Sequence, residues 1–193
     1  MPTTRLSARR ADLIARLQAL FLAEGFAAFN IGDLTDRLRC SRTTLYALAP
    51  SKEQLVLTVV RAYFRAAAEH IETRVAETGD PREKLAVYLE AVASELQPVS
   101  AEFFADLAEF APGNDVYQEN TRYAAHRVQT LVTDGVKAGA LRPVDASFVG
   151  AAVAQVMGAI QRGELQAQTG MDAAAAYRNL ADLILNSLTG PMR

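Results

Sequence analysis

Three helix starts crowd the segment between Asn30 and Ser51: Asn30 precedes IGDLTDRL, Ser41 precedes RTTLY, and Ser51 precedes KEQLV. An asparagine or serine just before a helix accepts a hydrogen bond from one of the backbone N–H groups that the first turn leaves unpaired. The helix begun at Ser41 has no room to grow, because Pro50 lacks an N–H and restricts Ala49 before it. A helix of little more than one turn does not persist alone, so its neighbours must hold it. The chain is therefore committed to an all-α arrangement with very short helices packed near its N-terminus.

The flanking segments carry the same code. Leu13, Leu17, Leu20 and Phe21 recur at helical spacing, which predicts a first helix over 7–24 with Gly25 as its stop. Asp33 stands at the third position of the second helix, beside the positive end of its dipole. Ser51 and Gln54 form a capping box for a fourth helix over 52–77, with Val56, Val60, Phe64, Ala67 and Ile71 inward. Asp80, Pro81 and Glu83 start a fifth in the same way. Pro98, Pro112-Gly113 and Pro143 divide the remainder into helices over 99–110, 114–139, 145–168 and 172–188, so about nine helices are expected.

Composition supports this and narrows the function. Half of the 193 residues are hydrophobic but only 7% aromatic, a balance that favours helix. No apolar run reaches the ~18 residues of a membrane span and the N-terminus lacks a signal-peptide core, which predicts a soluble cytoplasmic protein. One cysteine and two distant histidines predict no metal and no cofactor. Residues 1–60 hold eight Lys/Arg against five Asp/Glu, whereas the rest holds twelve against seventeen. A basic module of net +3 thus precedes an acidic one of net −5, which points to an anionic partner for the first.

The tight connection between the second and third helices reads as a helix-turn-helix, whose second helix enters the DNA major groove. Leu45 must face the core with Leu17, Leu34 and Leu38, leaving Arg42, Thr43, Thr44 and Tyr46 outward. Arginine pairs with guanine, threonine meets a thymine methyl or donates a hydrogen bond, and a tyrosine hydroxyl suits phosphate. Lys52 adds its charge at the start of the fourth helix. With Asn30 and Ser41 as caps, and Arg5, Arg9 and Arg10 upstream, these residues make the candidate interface with a double-stranded DNA operator.

This region resembles the tetracycline-repressor-like (TetR) transcriptional regulators. The pattern appears as Gly25-Phe26, Asn30 in place of a threonine-like cap, Ser41, Thr44-Leu45-Tyr46 and Ser51-Lys52-Glu53-Gln54-Leu55, over about residues 8–56. Two positions depart from it. Arg39 occupies a turn position usually held by glycine, where a left-handed backbone would cost about 1 kcal/mol or be avoided by a changed turn. Leu48-Ala49 replaces a frequent His-Phe. The resemblance implies a helix-turn-helix domain over 1–50 and a larger helical ligand-binding and dimerisation domain over 51–193.

It also implies a cavity for a small apolar organic effector among helices four to eight. The aromatic row Phe103, Phe104, Leu107 and Phe110 is either plain core or the wall of that cavity, and Tyr63, Tyr88 and Tyr123 would supply its polar groups. For a homodimer, the resemblance implies a two-helix contribution to a four-helix interface. Its candidate residues are the small stripe Gly150, Ala154 and Gly158 with Tyr177, Leu180 and Ile184. Other groups read more plainly: Cys40 as an inert thiol in an apolar position, His126 as solvated, His70 as packed or half-exposed, and Glu102, Asp106 and Glu109 as a solvated face.

These readings converge on a ligand-responsive, homodimeric DNA-binding repressor, released from a near-palindromic operator by its effector. A dimeric ligand- or protein-binding module with a decayed reader is the alternative. An all-helical enzyme is a third, without a nucleophile–base pair, metal cluster or phosphate loop to support it.

Overall fold

The computed structural model describes residues 3–189, with side chains from 9 to 188. Among the described residues there are ten helices and no strand: α1 Thr3–Glu24, α2 Ile31–Leu38, α3 Arg42–Tyr46, α4 Lys52–Ala76, α5 Pro81–Leu96, α6 Ala101–Glu109, α7 Ala111–Lys137, α8 Ala146–Gln161, α9 Glu164–Thr169 and α10 Ala173–Thr189. The all-α class holds. The expected helix over 145–168 is two, because Gly163 adopts φ +70° and turns the chain between α8 and α9. Pro112 and Gly113 do not precede α7 but lie inside its first turn, where a missing proline N–H costs nothing.

The caps of α2 to α4 stand where the sequence places them. Asn30 Oδ1 accepts from Asp33 N at 3.0 Å while Asp33 Oδ2 accepts from Asn30 N at 2.8 Å, a reciprocal box. Ser41 Oγ accepts from Thr44 N at 3.1 Å and Ser51 Oγ from Gln54 N at 3.2 Å. At α5 the expected Asp80–Glu83 box is replaced by a tighter turn, in which Asp80 Oδ1 accepts from Arg82 N at 2.8 Å.

Leu13, Leu17 and Phe21 of α1, Leu34 and Leu38 of α2 and Leu45 of α3 are buried together, and Ala49 closes the far side. Arg39 lies in the left-handed region at φ 50°, ψ 50°, the one such non-glycine among the described residues. The turn is not remodelled to relieve it, since Arg39 N donates to Asp36 O and Cys40 N to Thr35 O. Arg39→Gly should therefore raise the stability by about 1 kcal/mol, read as a higher midpoint in urea at unchanged slope. A lower midpoint would mean that the arginine side chain stabilises the turn.

The larger part is built on α4, α5 and α7, with α8 along α7 and α10 across α5 and α8. Helix α4 belongs to both parts: Leu55 and Val56 sit in the joint core near its start, and Tyr63 to Val75 run deep among the later helices. Helix α6 packs on both α1 and α7.

Candidate functional site

Helix α3 presents one buried and four exposed side chains. Leu45 is buried; Arg42, Thr43, Thr44 and Tyr46 face solvent, with Tyr46 48% exposed. Thr44 Oγ1 lies 2.8 Å from Ser41 Oγ, so this hydroxyl belongs partly to the cap. Asn30 Oδ1 is likewise engaged in its own box. Arg9 and Arg10 are exposed, while the Arg5 side chain lies outside the described residues. Cys40 is half-buried against the core, and burial raises its thiol pKa, the direction of an inert thiol.

Lys52 has a structural duty that spacing alone does not reveal. Its Nζ donates to Ala27 O at 2.9 Å, holding the loop between α1 and α2. Two of its three donors remain for another acceptor. The same loop is gripped from the other side by Asp106, whose Oδ2 accepts from Phe26 N at 2.5 Å and Ala27 N at 2.7 Å. Asp106 is thus not part of a merely solvated acidic face: it clasps α6 to the loop before the reader.

Phe103, Phe104 and Leu107 are buried and Phe110 is half-buried, and none of the four lines the cavity between α4, α5 and α7. Phe26 meets the rings of Phe103 and Phe110 edge-on at centroid distances of 5.8 and 5.9 Å. Phe103 in turn meets Tyr63 at 6.4 Å, and Phe104 meets Tyr117 at 6.1 Å. The row therefore stands behind the cavity and joins its tyrosines to the loop beside α2.

The cavity itself lies between α4, α5 and α7, with Met157 of α8. Its empty volume is about 520 Å³, the open mouth included. Tyr63, Tyr88 and Tyr123 line it as anticipated, joined by Phe64, Tyr117, Asn120, Glu72 and Glu95, which spacing did not single out. One signal was available: five of the six tyrosines fall in helices after residue 60. Four line the cavity, and the fifth, Tyr177, meets Tyr117 hydroxyl to hydroxyl at 3.2 Å.

The tyrosine hydroxyls are spent on the protein. Tyr63 donates to Glu95 O at 2.6 Å, and Tyr88 reaches Ala124 O at 3.4 Å. Tyr117 lies 3.2 Å from Met157 O. Burial pushes the Tyr63 and Tyr88 pKa values far above the ordinary tyrosine value, and the charges of Glu95 and Glu72 push them the same way. Both stay neutral phenols at any physiological pH.

The candidate dimer residues divide. A Cβ at Gly150 would come within 2.9 Å of Ala125 O, so this glycine seats α8 on α7 of its own chain. A Cβ at Gly158 would meet Arg162 at 3.0 Å, on the same chain. Tyr177 and Ile184 are buried in the protomer, while Ala154 and Leu180 are half-buried. Two large side chains on the same helices are bare instead: Phe148 on α8 is 73% exposed and Leu183 on α10 is 69% exposed.

No protein-family model and no curated protein sequence matches the chain. Solved structures do. A choline-bound structure from Saccharomonospora viridis, described as that of a transcriptional regulator, shares 18% identity at a TM-score of 0.76, over 96% of this chain and 100% of that one. A TetR transcription regulator of Haloarcula marismortui shares 16% at a TM-score of 0.76, covering 95% and 100%. A TetR/AcrR-family regulator of Thermobifida fusca shares 21% at 0.68, covering 96% and 100%. The chain has the fold of these regulators along nearly its whole length.

Proposed function

We propose that the protein is a homodimeric transcriptional regulator of the TetR type, in which residues 1–50 read double-stranded DNA and 51–193 bind an effector and dimerise. The observation that carries this reading is the exposure of Arg42, Thr43, Thr44 and Tyr46 around a buried Leu45, on a short helix fixed by caps at both sides of its turn. Such a helix offers base-reading and phosphate-binding groups on one surface, of which its own cap engages only the Thr44 hydroxyl. The Leu48-Ala49 departure leaves the scaffold intact, because Ala49 is buried and Leu48 packs on the core. No helix among the described residues is long and apolar enough to cross a membrane, in keeping with a cytoplasmic regulator.

The effector enters the cavity between α4, α5 and α7, and the Saccharomonospora structure, which was solved with choline, supports a small organic effector for a chain of this fold. Helix α4 carries Lys52 at one end and Tyr63, Phe64 and Glu72 at the cavity. A ligand that binds more tightly to one placement of α4 changes the spacing of the two readers, and release from the operator follows from that difference in affinity. In a gel-shift titration, Arg42→Ala should cost about 1–3 kcal/mol on the preferred site and relax its guanine preference. Equal loss on every sequence would make Arg42 a phosphate contact and leave base reading to Thr43.

A further inference from the structure

We propose that the cavity selects a small organic cation, an alkyl- or trimethylammonium head, over neutral and anionic molecules of the same shape; this rests on the cavity being the effector site. The expected apolar effector took its support from the α6 phenylalanines, which stand outside the lining. What does line the cavity is a set of aromatic rings with carboxylates among them. The rings of Tyr63 and Phe64 lie 5.0 Å apart and those of Phe64 and Tyr117 5.9 Å, a cluster that offers negative π surface from several directions.

The polar groups decide the sign of the ligand. The hydroxyls of Tyr63, Tyr88 and Tyr117 are directed to backbone carbonyls, so an anion entering the cavity finds neutral donors alone, the Asn120 amide and the Tyr123 hydroxyl. No lysine or arginine lines it. Of its two carboxylates, Glu72 is matched by Arg127, whose Nε and Nη2 donate at 2.8 and 2.9 Å. Glu95 has no guanidinium partner: its carboxylate lies 3.5 Å from His70 Nδ1, on a side chain 70% exposed. The two lining glutamates thus carry two negative charges against the one positive charge of Arg127, beside neutral phenols. An ammonium head meets that carboxylate while its methyl groups cover the rings, and it needs no donor from the protein. A metal ion would want a closer set of oxygens, and no group of three potential metal-binding side chains is present among the described residues.

The test is isothermal titration calorimetry on the full chain with choline and with 3,3-dimethylbutan-1-ol, its uncharged carbon isostere. Choline should bind at least about tenfold more tightly, and Glu95→Gln should bring the two close to parity. Phe64→Leu should weaken choline about tenfold and the isostere less. A variant that merely loosens the fold would lower both alike, so the ratio separates recognition from folding. Equal affinities in the wild type, tighter binding of the alcohol, or no heat from choline at millimolar concentration would overturn the proposal. Gel shifts on the ligand-free protein distinguish the two failures. Intact DNA binding without cation selectivity defeats only the cation, while selective choline binding without any DNA binding defeats only the regulator.

Discussion

Gly25→Val lowers the stability of the folded chain by about 3–5 kcal/mol, the largest loss expected of any single substitution considered. Gly25 has φ +74°, where an L-residue costs roughly 1–2 kcal/mol and a β-branched one more. Its Cβ would also stand 2.5 Å from Asp106 Oδ2 and 3.3 Å from the Glu102 carbonyl carbon. The carboxylate must then leave the loop, and its charge-assisted bonds to Phe26 N and Ala27 N go with it, at about 1.5–3 kcal/mol. For a chain of this size the melting midpoint should fall by roughly 10 °C. Asp106→Ala should lose only the clasp. In the double variant the two losses should sum to less than additive, since valine has already displaced the carboxylate. Wild-type melting of Gly25→Val would contradict the close approach of α6 to the loop.

Phe148→Arg combined with Leu183→Arg yields a folded monomer whose operator affinity falls by about 100-fold or more. Both side chains are mostly in solvent in the protomer, so their replacement leaves its core untouched and should change its stability by no more than about 0.5 kcal/mol each. In the proposed dimer, where α8 and α10 meet a second copy across a two-fold axis, each cation is instead buried without a partner, once per subunit. A five-residue reader makes few base contacts alone. Linking two of them gains about 10²–10⁴ in avidity, which the monomer forfeits. Light scattering reads the mass and a gel shift reads the affinity. A double variant that stays dimeric would place the interface on another face, and a wild-type monomer at micromolar concentration would remove the paired-reader mechanism.

What could be read in the chain follows the range of the interactions concerned. The boundaries of α2, α3 and α4 are local events, each set by one capping side chain and one stop, and they lie where Asn30, Ser41 and Ser51 put them. The burial of Leu45 follows from the same short-range pattern. The break at Gly163 was missed because a single glycine is tolerated inside a helical pattern, and only its left-handed backbone reveals the turn. Asp106 was misread because its partners lie 80 residues away and are backbone N–H groups, which leave no mark in sequence. The cavity wall was half legible for a similar reason. Helical spacing identifies the buried face of α6, but not whether that face meets Phe26 or an empty space. The small stripe of α8 correctly signals close helix approach, yet spacing does not say whether the neighbour is α7 of the same chain or a second copy.

The central claim is that α3 reads a specific DNA sequence as one of a pair. Selection of bound sequences from random DNA, with the purified full chain at about 0.15 M salt, tests it most directly. The account predicts enrichment of a near-palindrome whose half-sites lie about one helical turn, or a multiple of it, apart, and loss of a guanine preference in each half when Arg42→Ala is selected in parallel. A pool that remains random after repeated rounds, with binding that depends on salt but not on sequence, would contradict it.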